Sequence, residues 1–163
     1  MAFNVRKAQL SDSQEIALIH VNSWKSAFKG LMPERYINSY TIEDRNAEWL
    51  NVLENGSESV IVADDNNKLV GFLSYSKKAD FLYLSKLYLC PSIYGQGVGS
   101  LLIKQMENES LAASIHLIRL YVLDNNQSAI NFYSKQGFEF GDGFESEEFE
   151  SETIIDLLME KRL

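Results

Sequence analysis

The chain has 163 residues, 45% hydrophobic and 23% charged, with a formal net charge of -8. That length suits one domain around one core, expected to span 1–163, and no apolar run reaches the roughly 18 to 20 residues that cross a bilayer. The acidic balance argues against a general nucleic-acid binder, which needs concentrated Lys and Arg.

In chain order, MAFNVRKAQL has no basic stretch leading into an apolar one; no secretory signal is read, and the cytoplasm is the expected compartment. Phe3 to Ala8 reads as a strand. Ser11 or Asp12 then caps a helix whose face carries Ile16, Ile19, His20, Ser23, Trp24 and Ala27, ending near Gly30. Pro33 to Leu53 has helical character and Asn55-Gly56 is a turn. Val60-Ile61-Val62 and Leu69 to Tyr75 flank the polar turn Asp64 to Asn67 as a hairpin. Phe81 to Leu89 is apolar at more than every second position, as in a strand buried on both faces, and is the expected centre of the sheet. After Cys90-Pro91 come a glycine-rich turn and a helix through Leu111. Leu117 to Val122 is a strand, Asn126 to Gln136 a helix closed by Gly137, and Phe138 to Phe144 with Ser151 to Met159 a closing pair of strands. This order gives a mixed α/β sheet rather than a doubly wound parallel one.

Cys90 is the lone cysteine and has no adjacent His, so neither a disulfide nor a thiol nucleophile is read. His20 and His116 share no ligand spacing, and no metal is expected.

Tyr94-Gly95-Gln96-Gly97-Val98-Gly99-Ser100 joins a buried strand to an amphipathic helix. Glycines at alternate positions let a ligand approach the backbone, and free N–H groups at the following helix start favour an anion; a pyrophosphate fits. The spacing is neither the dinucleotide fingerprint nor a P-loop. It resembles the signature of the GNAT superfamily of N-acetyltransferases: Arg or Gln, two residues, Gly, one residue, then Gly or Ala. Gly97 and Gly99 match, and Tyr94 stands where the family prefers Arg or Gln. A second block, Asn126-Gln127-Ser128-Ala129-Ile130-Asn131-Phe132-Tyr133 running to Gly137-Phe138, resembles the family's Asn-x-x-Ala, two residues, Phe/Tyr-Tyr, then Gly-Phe. Two blocks in family order are more specific than either alone.

The resemblance, to a small-molecule (RimI-like) branch, implies a mixed sheet of about seven strands flanked by about four helices and splayed between the fourth and fifth strands. It implies acetyl-CoA as co-substrate. Backbone groups of Leu87, Tyr88 and Leu89 would bind the acetyl-pantetheine arm, Tyr94 to Ser100 (Tyr94, Gly95, Gln96, Gly97, Val98, Gly99, Ser100) the pyrophosphate, and Asn126 and Tyr133 the region of the thioester. Tyr133 would meet the departing thiolate. A bulge around Leu87 to Leu89 would leave a backbone donor, taken as Leu89, for the oxyanion.

The base is open. Relatives carry Glu where this chain has Tyr83, which leaves a water relay, Asp80 or Tyr83. Trp24 and Phe28, followed by Gly30-Leu31-Met32-Pro33, resemble an acceptor-entry segment. Glu145, Glu147, Glu148, Glu150 and Glu152 concentrate charge near the last hairpin, as would suit a cationic amine or equally a solvated turn. The expected reaction is acetyl transfer to a primary amine of a small cationic molecule by direct attack. The alternatives are a peptide or protein amine acceptor, or a coenzyme-binding module without turnover. The resemblance also leaves a homodimer open.

Overall fold

In the computed structural model, which describes residues 2–163, a seven-stranded sheet runs in the order β1-β2-β3-β4-β5-β7-β6. The strands are β1 (Asn4–Lys7), β2 (Ser59–Asp65), β3 (Lys68–Lys77), β4 (Leu82–Leu89), β5 (Leu117–Leu123), β6 (Glu139–Phe149) and β7 (Glu152–Arg162). All neighbours are antiparallel except β4 and β5. The strand expected at the centre, β4, is the fourth of the seven.

Helices cover both faces. Leu102, Ile103 and Met106 of α4 (Val98–Ala112) and Ile130 of α5 (Gln127–Lys135) pack on Leu73, Leu82, Leu84, Ile118, Leu120 and Met159. On the other face, α1 (Ser13–Phe28) and α3 (Ile42–Asn55) bring Ile16, Ala17, Ile19 and Trp49 onto Val60, Val62, Leu69 and Phe72. The run Val60-Ile61-Val62-Ala63 feeds both cores by turns, hence its unbroken apolar character.

Among the described residues five α-helices form, against about four expected. The helical stretch read from Pro33 to Leu53 is two pieces, α2 (Glu34–Ile37) and α3. The division is local chemistry: Thr41 is extended, its side chain accepts from the Asp44 N–H at 3.1 Å, and the Asp44 carboxylate accepts from the Thr41 N–H at 3.0 Å. This reciprocal capping box starts a new helix.

Buried between the α1/α3 layer and the sheet is His20, 2% exposed. Its Nδ1 accepts the Trp49 indole N–H at 3.0 Å. The ring stacks on Trp24 and Tyr88 and meets Trp49 and Phe72 edge-on. Burial, reinforced by Arg45 and Lys86, lowers its pKa to about 3, so the imidazole is neutral. A histidine whose pKa falls on folding contributes stability above its unfolded value that is lost as pH drops. We therefore expect the urea midpoint to be insensitive to His20 above its ordinary pKa of 6.5 and to decline on acidification toward about 3. His20→Gln should lower stability at neutral pH and make the acid slope shallower; an unchanged slope would show that His20 does not take up a proton on unfolding.

Candidate active site

The turn after β4 is built to leave amides free. Pro91 to Ile93 form one 3₁₀ turn, and Gly95 and Gly97 take φ of +78° and +86°, the left-handed region where glycine is at ease. Gly97 is the N-cap of α4, and Leu101 N–H makes the first helical bond back to the Gly97 carbonyl. The N–H groups of Val98, Gly99 and Ser100 thus have no intrahelical acceptor. A Cβ on Gly99 would sit 2.9 Å from Phe132 Cζ, so this glycine lets α4 and α5 approach.

β4 supplies the second wall. Among the described residues it meets β5 at two rungs, Leu82↔Ile118 and Tyr83↔Arg119, and then the strands part. Against β3, Tyr75 pairs with Leu84 and Ser74 with Lys86, so Ser85 is an inserted residue. The irregularity expected around Leu87 to Leu89 therefore lies two residues before Leu87. The insertion reverses side-chain parity: Leu82 and Leu84 face α4, Leu87 and Leu89 do so as well, and Lys86 and Tyr88 turn to the α1/α3 face. Cys90 N–H donates to the Val70 carbonyl at 2.8 Å. By ladder alternation, the N–H and C=O groups of Leu87 and Leu89 point into the gap toward β5. β4 was expected to be buried on both faces; only Leu82 and Leu84 are, and Ser85 to Leu89 border this gap.

The gap and the glycine turn merge in one cavity of about 740 Å³. Leu87, Tyr88, Leu89, Tyr94, Gly95, Gly97, Val98, Gly99, Ser100, Asn126, Tyr133 and Phe28 all line it. Gln96 does not; its amide donates to the Ser92 carbonyl at 3.4 Å. Trp24 lies behind Phe28 in an aromatic layer with Tyr36 and Tyr40, under the Arg45 guanidinium. Asp80 sits in the exposed β3–β4 turn, outside the cavity lining. Tyr83 is half-buried edge-on to Tyr121 on the α1/α3 face, also outside the lining, and burial raises its phenol pKa. Burial likewise raises the Cys90 thiol, outweighing the opposing charge of Lys68.

Tyr133 projects from α5 between Phe132 and Phe138, both edge-on to it. Burial, then the nearby Tyr88 phenol, pushes its pKa well above 10. It is a proton-bearing donor at neutral pH. Asn126 caps α5, its Oδ1 accepting from Ala129 N–H at 3.2 Å, and it is a structural residue whatever else it contacts.

Residues the sequence reading missed also line the cavity: Ser85, Lys86, Tyr121, Phe132 and Gln136. Phe132 and Gln136 are four apart on the face of α5 that carries Tyr133, so helical spacing held a signal for them. Lys86 had none, because its direction depends on the insertion at Ser85. Tyr36 donates to Glu147 at 2.7 Å and Arg35 pairs with Glu150, so two of the five hairpin glutamates tie α2 to the β6–β7 tip.

Removing the cap isolates its structural part. Asn126→Ala should cost about 1 kcal/mol, a fall in Tm of roughly 2–4 °C for a chain of this size. Calorimetric scanning without ligand checks it, and an unchanged Tm would deny the cap its energetic role.

Comparison with known proteins places this geometry. The Acetyltransferase (GNAT) family model matches residues 22–138. A spermidine N(1)-acetyltransferase of Thermoplasma acidophilum is 29% identical over 147 residues, 87% of this chain and 91% of that protein. The crystal structure of PaiA N-acetyltransferase from Thermoplasma acidophilum in complex with coenzyme A superposes with a TM-score of 0.82 at 27% identity, covering 100% of both chains. A ribosomal-protein-alanine N-acetyltransferase of Brucella melitensis shares the fold, with a TM-score of 0.76, 21% identity and coverage of 98% of this chain and 99% of that one. The chain belongs to the GNAT acetyltransferase family and is an acyl-CoA-dependent N-acetyltransferase.

Proposed function

We propose that the protein transfers the acetyl group of acetyl-CoA to a primary amine of a small polycationic molecule of the polyamine type, by direct attack in a ternary complex. The observation that carries this reading is the polarity of the cavity's two ends. One end offers the free amides of Val98, Gly99 and Ser100 to a pyrophosphate. The other reaches Leu123, beside which the register sets Asp156, with Glu147, Glu145 and Asp124 near enough for their charges to act on it. A polyamine acetyltransferase among the relatives points the same way.

In this mechanism the Leu87 and Leu89 backbone groups align the pantetheine arm, as an added strand would. The Leu89 N–H, turned into the gap, stabilises the oxyanion of the tetrahedral adduct. Tyr133 donates to the sulfur as the C–S bond breaks. A phenol with a raised pKa loses its proton reluctantly to a thiolate of about 8.5, so a strong hydrogen bond is the larger part of its contribution.

Tyr133→Phe should lower kcat by about 10²-fold or more while acetyl-CoA affinity by calorimetry stays within threefold; unchanged turnover would remove Tyr133 from the mechanism. Gly97→Ala forces a left-handed φ on a residue with a Cβ, a penalty of roughly 1–2 kcal/mol, and should weaken acetyl-CoA binding about tenfold. The decisive assay is free-thiol release with spermidine, amino acids, aminoglycosides and peptides. Release with spermidine alone among them supports the polyamine reading; release with peptides alone replaces it.

A further inference from the structure

Deprotonation of the acceptor is unassigned. At neutral pH an alkylamine is an ammonium ion without a lone pair, so a base must precede attack. Tyr83 lies outside the cavity lining, and its pKa is raised. Asp80 is exposed at the far end of β4. His20 is locked neutral, with Nδ1 already accepting from Trp49.

We propose that Asp156, at the start of β7, takes the proton from the acceptor ammonium. This inference rests on the acetyltransfer reading above. The register sets Asp156 directly beside Leu123, the last residue of β5 and part of the cavity lining. It is thus one strand spacing from the open end of the β4–β5 gap, where cross-strand Cβ atoms lie about 4.5–5.5 Å apart. Its neighbours Leu157 and Met159 belong to the α4/α5 core, so alternation turns Asp156 to the opposite face, with Tyr83, Tyr88 and Tyr121. α1 packs on this same face and lines the cavity with Phe28, so Asp156 lies beside the lining on the side from which Phe28 contributes to it.

The surroundings suit a base. Asp156 is half-buried, and burial first, then Glu147 and Glu145 of β6 and Asp124 after β5, holds its carboxyl above the ordinary range. The phenols that sense its charge are Tyr83 and Tyr88 from β4 and Tyr36 from α2. Lys86 of β4 shares the face but is engaged with Glu58 at 3.8 Å and Ser85 at 3.2 Å. A carboxylate surrounded by acids and phenols attracts an ammonium and is a stronger base than one in water.

The proton count closes. The ammonium gives one proton to Asp156, the freed lone pair forms the C–N bond, and the C–S bond breaks. Sulfur leaves as a thiolate held by the Tyr133 hydrogen bond, and the proton remaining on the adduct nitrogen reaches it through solvent. Each turnover yields amide, free thiol and one proton, which Asp156 passes to water.

The test is acetyl-CoA turnover with spermidine in the parent, Asp156→Asn and Asp156→Glu proteins from pH 5 to 10, with carboxyl carbon NMR titration of the parent. Asp156→Asn should lower kcat at pH 7 by about 10²-fold or more, leave the KM for acetyl-CoA within twofold and recover as the amine deprotonates unaided; Asp156→Glu should regain part of the rate. A kcat within threefold of the parent overturns the proposal, as does a loss confined to the KM for spermidine. If the parent acetylates another amine of the panel and not spermidine, the polyamine reading fails alone, and the same variants are compared on that amine. A carboxyl midpoint for Asp156 at or below about 3.9 overturns the assignment whatever the acceptor.

Discussion

Two rungs hold β4 to β5, and beyond them the strands diverge. Backbone N–H and C=O groups are costly to bury without partners, so a sheet that opens in its interior must keep that opening wet or fill it with polar ligand groups. The rest of the molecule is arranged around this constraint. β3 stays paired along the whole of β4, which keeps the near lip of the opening rigid. β7 does the same for β5, and α4 and α5 close over one side without sealing it, because Gly99 admits Phe132 at contact distance.

The opposite side is held by aromatic packing. Tyr88 stacks on His20, His20 is fixed by Trp49, and Trp24 continues the layer to Tyr40 under Arg45. A neutral imidazole is needed there, since a charge would be stranded without solvent between two aromatic faces. The same layer fixes the direction of Tyr88, and with it the strand segment whose peptide groups face the opening. Packing far from the cleft thereby sets backbone geometry inside it.

Much of this was legible in the residues. Apolar runs on either side of a polar turn located β2 and β3, a densely apolar segment located β4, and the alternate glycines marked the tight turn in which Gly95 and Gly97 take positive φ. The two blocks read as a family resemblance match the family found by comparison. What was not legible depends on single residues acting through register. The insertion at Ser85 has no composition of its own, yet it decides which way Lys86 and Tyr88 point. The Thr41–Asp44 capping box was present in the sequence but hidden inside a continuous helical pattern. The place of Asp156 is set by its pairing with Leu123 of a strand far earlier in the chain, and pairing across two antiparallel strands is not written in either one.

The two walls of the cavity differ in how they are encoded. From Ser85 to Gln136, one unbroken stretch carries the strand, the glycine turn and both helices that line the α4/α5 side. The facing wall comes from far earlier in the chain, Ser26, Ala27 and Phe28 at the end of α1, and the neighbouring α2 is tied to the β6–β7 hairpin by Tyr36–Glu147 and Arg35–Glu150. A substitution at Ser26, Ala27 or Phe28 therefore alters one wall of the cavity and leaves the contiguous half as it is.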